Sequence, residues 1–200
     1  MNIFKRIKSA FRGVKQRWGS SRIKQRIWNQ EFASGRWDSI ERTPGDLVYS
    51  YVEKYCRGGS ILDLGCGSGN TGCELNVNSY EKYTGIDISD IALEKARLRS
   101  ESCQRSGKNR YAQADIAAYV PDMKYDVILF RESIYYIPRR QIRGTLERYS
   151  RFLNENGVLI IRWHDEMVAQ ELLKLIGSSF QIVERHFSAD AGPVVLVFRA

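Results

Sequence analysis

The chain lacks most of the features that would mark it as secreted, metal-bearing or membrane-spanning. Its 200 residues hold four cysteines and two histidines. Cys56, Cys66, Cys73 and Cys103 form no CxxC pair, so neither a disulfide framework nor a zinc site is expected, and a reducing cytosol is the default compartment. No apolar run approaches the roughly 18–20 residues that a spanning helix needs, and the N-terminus shows no apolar secretory core. There is no internal repeat and no low-complexity tract. Acid is missing locally: residues 1–30 carry nine Lys or Arg and no Asp or Glu. Of 31 cations and 23 acids overall, that leaves 22 cations against 23 acids in the remainder, so the net charge of +8 belongs to the N-terminal segment. A nucleic-acid enzyme usually surrounds its cleft with cations, which makes nucleic acid a weaker expectation as partner.

What the sequence does contain is ordered. Phe4, Ile7, Phe11, Val14 and Trp18 recur at helical steps with Lys and Arg between them, which predicts a basic amphipathic helix. Gly19-Ser20-Ser21 breaks it before a second piece with Ile23, Ile27 and Trp28. The turn-rich stretch Glu31–Gly45 follows. Thr43-Pro44 reads as a helix start with proline in the first turn, and we place a boundary there: a helical extension and lid over 1–43, a main domain over 44–200. Strands are then expected at Ser60–Leu64, Tyr83–Ile86, Arg110–Ala112, Asp126–Phe130 and Val158–Trp163, alternating with helices at Asn70–Val77, Ser89–Glu101, Arg139–Leu153 and Asp165–Ile176. Two more strands, Gln181–Arg185 and Val194–Phe198, have only a loop between them. Alternating βα units predict an α/β fold with a doubly wound, mostly parallel seven-stranded sheet and helices on both faces. The closing pair adds one antiparallel strand near the C-terminus.

The loop after the first strand, Asp63-Leu64-Gly65-Cys66-Gly67-Ser68-Gly69-Asn70, sits where such sheets bind ligands. It is not the dinucleotide fingerprint G-x-G-x-x-G, whose third glycine would fall on Asn70. It is not a phosphate loop either, since no Lys-Ser or Lys-Thr follows. An acid two residues before Gly65 would repel a phosphate but suits a ligand with a cationic group. The pattern resembles the first motif of class I S-adenosylmethionine-dependent methyltransferases, and the other elements fall in the family's order over residues 44–200.

That resemblance implies S-adenosylmethionine as cofactor, held by Asp63, Gly65, Cys66, Gly67 and Gly69. It implies that Asp87, at the end of "YTGIDIS", accepts the ribose hydroxyls beside Ile88. Asp115 in "QADIAAY" would take the adenine amine, with the Ile116 amide at a ring nitrogen. The backbone near Phe130 and Arg131 would flank the methionine part, and "WNQEFASGRWD" resembles a lid that brings Arg36 or Trp37 over the cofactor. Taken one at a time, Asp63 could equally tie down loop amides, Asp87 and Asp115 could cap turns, and Trp28, Phe32 and Trp37 could simply pack the extension onto the domain.

Acceptor residues are expected after the fourth and fifth strands. Glu132, Tyr136 and His164 are the candidate catalytic residues, with Tyr135 lining a pocket and His164-Asp165 alternatively a helix cap. The Asn/Asp-Pro-Pro-Tyr/Phe signature of nucleobase amine methylation is absent, since "FRES" stands in its place. "RESIYYIP" is similar to the corresponding stretch of nodulation-type N-methyltransferases. The expected acceptor is a small molecule or glycan, with transfer to N or O. Residues 1–18 suggest contact with an anionic membrane surface, hence a cytoplasmic protein peripheral to the inner face. RNA binding, an organelle presequence and burial of the apolar stripe on the domain or in a homodimer are the alternatives. A catalytically silent S-adenosylmethionine-binding subunit is the rival from another class.

Overall fold

The structure, a computed structural model, describes residues 13–38, 43–164, 166–187 and 192–200, the side chains of 166–169 and 171 excepted. Seven strands form one sheet: β1 (Ser60–Leu64), β2 (Lys82–Asp87), β3 (Asn109–Gln113), β4 (Tyr125–Arg131), β5 (Leu153–Trp163), β6 (Gln181–Phe187) and β7 (Val194–Arg199). Their order is β3-β2-β1-β4-β5-β7-β6. β3 to β5 pair in parallel through β2, β1 and β4, and β7 runs antiparallel to both β5 and β6. The strand order reverses between β1 and β4, which opens a crevice at their carboxyl ends.

Period-two alternation divides the core. Leu62, Leu64, Ile128, Phe130, Leu159 and Ile161 face one side with Trp163, packed against α5 (Arg139–Ser150) and α6 (Glu166–Gly177). Ile61, Tyr83, Val127, Leu129, Val158 and Ile160 face the other, against α2 (Leu47–Cys56). Both faces being covered, β1 is buried at all five positions and, after Ser60, reads as an apolar run interrupted by one acid. On the α2 side, α4 (Asp90–Ser102) packs on β3 and also carries α1 (Ser21–Ala33). Ser89 caps α4 by accepting from the Ala92 amide at 3.1 Å, and Asp90 complements the dipole of its first turn.

Several boundaries differ from the sequence expectation for identifiable reasons. The helix expected from Thr43-Pro44 begins at Leu47, because Asp46 takes the cap and accepts from the Val48 amide at 3.1 Å. The helix at Asn70 ends after Glu74 (α3, Asn70–Glu74). Leu153 begins β5 rather than ending α5, since Tyr125 pairs with it across a bulge in β4. A short 3₁₀ turn, Ile134–Tyr136, was not foreseen. The expectation of no disulfide is also corrected: Cys73 of α3 is bonded to Cys103 at the end of α4, with Cα atoms 6.2 Å apart. Thirty residues separate them in sequence, so only the packing of α3 on α4 reveals the pair. Cys56 and Cys66 are free and buried. No helix among the described residues is long and apolar enough to cross a membrane, and no cluster there could hold a metal ion.

Candidate functional site

The carboxyl ends of β1, β2, β4 and β5 and the turn after β3 surround a cavity of about 530 Å³, within the ~300–1,000 Å³ typical of small-ligand sites. Its floor is the glycine loop. The loop is tied back to β2 by the Gly65 and Cys66 amides, which both donate to the Ile86 carbonyl at 2.7 and 3.0 Å. Gly65 has φ +83°, and a Cβ there would stand 2.6 Å from the Ser133 Cβ. Only glycine fits that left-handed turn under Ser133.

Asp87 closes the floor on one side. It is buried, and its carboxylate accepts the Gly67 amide at 3.0 Å and the Ser89 amide at 2.8 Å, one on each oxygen. Burial drives its pKa up to about 6 even though the two amides pull it down. Each oxygen keeps a further acceptor position, and no cation is paired with it among the described residues.

Asp115 sits across the cavity after β3. Its Oδ1 accepts the Ala117 amide at 3.0 Å, and its Oδ2 accepts Ser21 Oγ at 2.9 Å and Lys24 Nζ at 3.1 Å. Burial works against its ionisation, but the Ala117 amide, Lys24 and Ser21 outweigh it and hold the carboxyl below its ordinary value. The engagement by Ser21 and Lys24 was not visible in the sequence, since both lie on α1. An adenine amine would share this carboxylate with Lys24.

Helix α1 is the roof. Trp28, Phe32 and Lys24 line the cavity, with Trp37 just beyond the helix. Phe32 lies 3.5 Å from where a Gly67 Cβ would be. Within α1, Asn29 bridges to α4, donating to Asp90 Oδ1 and accepting from Ser89 Oγ at 2.7 Å. Trp28 packs edge-on against Tyr136 with centroids 4.7 Å apart, and Tyr135 packs against Tyr136 at the same separation with its ring tilted by 58°. These rings give the cavity an apolar, π-rich wall suited to a sulfonium or an alkyl group. The buried Trp37 Nε1 and Ser133 Oγ have no hydrogen-bond partner and are donors available to a ligand.

The wall past β4 is ionic. Asp46, the α2 cap, accepts Arg131 Nη2 at 2.9 Å and Arg162 Nη2 at 3.1 Å. Arg162 also pairs with Glu132, whose other oxygen accepts Tyr135 Oη at 2.7 Å. Glu132 has φ +55° without being glycine, a backbone state that costs about 1–2 kcal/mol and clusters at functional sites. Its amide donates to the Arg162 carbonyl at 2.9 Å, which holds it there. Burial raises the Tyr135 and Tyr136 hydroxyls, the latter to about 12, so both remain neutral donors.

Of the sequence-predicted residues, Gly65, Cys66, Gly67, Asp87, Ile88, Asp115, Ile116, Arg131, Trp37, Glu132, Tyr136 and His164 all line this one cavity. His164 is at its exposed rim, and Asp165 lies outside the described residues. Asp63, Gly69 and Phe130 do not line it. Asp63 shares the strand face of Ile61 and accepts Tyr83 Oη at 2.6 Å beneath the loop. A Cβ on Gly69 would point at Ala96 of α4, 2.8 Å away. Phe130 packs on Tyr149 of α5. Asp46, Arg162, Lys24, Gln16 and Thr43 were missed. The signal for Asp46 was present, since an acid after Pro-Gly and before an apolar-periodic run is a cap pattern.

The profile of a family described as "Methyltransferase domain" matches residues 57–191. The trans-aconitate 2-methyltransferase of Enterobacter sp. (strain 638) is 32% identical over 108 residues, covering 54% of this chain and 40% of that protein. Nodulation protein S of Azorhizobium caulinodans is 26% identical over 136 residues, 63% of each chain. The crystal structure of N-methyltransferase NodS from Bradyrhizobium japonicum WM9 with S-adenosyl-L-homocysteine superposes with a TM-score of 0.67 at 18% identity, covering 88% of this chain and 97% of that one. The chain spans about half the length of the curated relatives that it matches.

Proposed function

The chain belongs to the methyltransferase-domain family, and on that premise we propose that it transfers a methyl group from S-adenosylmethionine to an N or O atom of a small-molecule or carbohydrate acceptor, lipid-linked acceptors included. The observation that carries this reading is Asp87: a buried, uncompensated carboxylate with a spare acceptor position on each oxygen, facing a cavity floored by side-chain-free backbone. A ribose offers two adjacent hydroxyl donors to such a group. Gly65 and Gly67 let the ligand lie against the loop, Asp115 receives the adenine amine, and the Trp28–Trp37–Tyr136 wall keeps water from the sulfonium.

When bound, S-adenosylmethionine supplies an electrophilic methyl on sulfur, and its transfer is an in-line displacement that needs alignment and exclusion of water. The chain's own contribution is a proton outlet. Glu132 stands in the cavity wall, oriented by Arg162 and Tyr135. An arginine engages one of its oxygens and a phenol the other. A neutral amine needs little more than a way to lose its proton, whereas a hydroxyl usually needs a dedicated base, so a wall whose carboxylate has both oxygens engaged suits nitrogen better than oxygen. His164 at the rim can relay the proton to solvent. Contact with an anionic membrane face belongs to the same proposal.

The test is transfer of labelled methyl from S-adenosylmethionine into pooled metabolite and glycolipid extracts. Amine-bearing acceptors should take up label, and Glu132→Gln should lower kcat roughly a hundredfold with S-adenosylhomocysteine affinity intact. Cofactor binding without transfer to any acceptor would instead support the silent subunit.

A further inference from the structure

Resting on that reading, we infer that the outer face of residues 13–26 is a docking surface for an anionic lipid bilayer, placed on the outer side of the cofactor cavity's own roof. Large apolar residues between positions 13 and 37 face two ways. Trp28, Phe32 and Trp37 turn inward and line the cavity. Val14, Trp18 and Ile23 stay outside, 57%, 58% and 40% exposed. Val14 and Trp18 lie one helical turn apart on the helical run 13–18, and Ile23 closes over Gly19, whose Cβ position is 3.0 Å from the Ile23 side chain.

Around these apolar residues stand Lys15, Arg17, Arg22 and Arg26, all exposed. Among the described residues none of these four is ion-paired to an acid: Asp115 is taken by Ser21 and Lys24, Asp90 by Gln25 and Asn29, and Glu31, the first acid in the sequence, is buried and accepts from Gln16. The sequence upstream adds Lys5, Arg6, Lys8 and Arg12 and again no acid. Exposed aliphatic and indole groups ringed by cations are complementary to a bilayer with anionic headgroups: the apolar groups enter the interface and the cations meet the phosphates.

Two other occupants fit less well. A second copy would set cation against cation with no acid between. A nucleic acid would use the cations and could stack on Trp18, but it offers nothing to Val14 and Ile23. The surface also connects to the site. Gln16 lines the cavity, and Arg17 Nε donates to the Tyr135 carbonyl at 3.1 Å. An acceptor carried in the lipid interface would therefore arrive beside Tyr135 and Glu132.

The experiment is flotation of the full chain with vesicles of phosphatidylcholine alone or mixed with phosphatidylserine, over a range of salt. Binding is expected only to the anionic vesicles and should weaken as salt rises. The triple variant Trp18→Ser, Arg22→Glu, Arg26→Glu should bind these vesicles roughly tenfold or more weakly. Its S-adenosylhomocysteine affinity, measured without vesicles, should be unchanged, since none of the three residues lines the cavity. No binding to anionic vesicles, equal binding by the variant, or capture by single-stranded RNA in place of vesicles would each overturn the inference. Because the vesicle measurement contains no cofactor, its failure is separate from any failure of the methyltransferase reading.

Discussion

Asp87→Ala should weaken S-adenosylhomocysteine binding by about 3 kcal/mol, more than a hundredfold in Kd by calorimetry. Two contributions add. The ligand loses charge-assisted hydrogen bonds from its ribose hydroxyls, each worth about 1.5–3 kcal/mol. The loop also loses its anchor, since Asp87 accepts the Gly67 amide that shapes the floor and the Ser89 amide at the start of α4. Asp87→Asn separates the two. An asparagine keeps an oxygen for one amide but brings no charge, so it should recover part of the fold stability and little of the affinity. Affinity unaffected by either substitution would reject the ribose role.

The same residue gives a pH signature. Burial lifts its pKa from 3.8 to about 6, and the ribose hydroxyls need the ionised form. Cofactor affinity should therefore be complete well above pH 6 and decline about tenfold per pH unit below it, with one proton taken up on release. Stability of the free protein runs the other way. A folded pKa above the unfolded value means that the folded chain holds the proton more tightly. The stability from this group is present below about pH 4 and is lost as pH rises through about 6. Opposite slopes for affinity and for apo stability, both flattened in Asp87→Asn, would be hard to obtain from a merely capping aspartate.

How far the sequence discloses this molecule depends on the range of the interactions involved. The mostly parallel seven-stranded sheet, its antiparallel closing strand and the glycine loop follow from the alternation of elements and from turn chemistry, and they appear as expected. The acids at the ends of β2 and β3 could be placed because a βα unit fixes where its strand ends. Asp63 shows the limit of that logic. It occupies the motif's acidic position, yet strand alternation turns it to the face of Ile61 and Tyr83, under the loop rather than into the cavity. What was illegible is long-range pairing. Asp115 and Lys24 are 91 residues apart, and Arg162 and Asp46 are 116 apart. No local pattern distinguishes such partners from solvated charges. The Cys73–Cys103 bond belongs to the same class.

The ionic wall carries the second large effect. Asp46→Ala should cost about 3–5 kcal/mol of unfolding free energy, with about 1 kcal/mol more for the lost α2 cap. The Asp46 side chain is 2% exposed and sits between Arg131 and Arg162, themselves 15% and 12% exposed. Removing it leaves two guanidinium groups buried side by side, with Glu132 still paired to Arg162 but no ion pair to Arg131 among the described residues. Asp46→Asn tests the assignment, because asparagine caps as well as aspartate but cannot balance the arginines. It should lose most of the stability, whereas a variant that merely lost a cap would be rescued.

The acid limb gives an independent check. Burial opposes ionisation of Asp46, but Arg131 and Arg162 outweigh it and hold the carboxyl below its ordinary value of 3.8. Its contribution is then present above about pH 4 and lost as pH falls through the folded value, so the gap between wild type and Asp46→Asn should close in acid. Denaturation curves at neutral and acidic pH measure that gap. A gap under about 1 kcal/mol at neutral pH would place this network among the ion pairs that contribute little. A large one would mean that the residue capping α2 also fixes Arg162, and through it the carboxylate of Glu132. The stability of the fold and the orientation of the proposed proton acceptor would then rest on one buried charge.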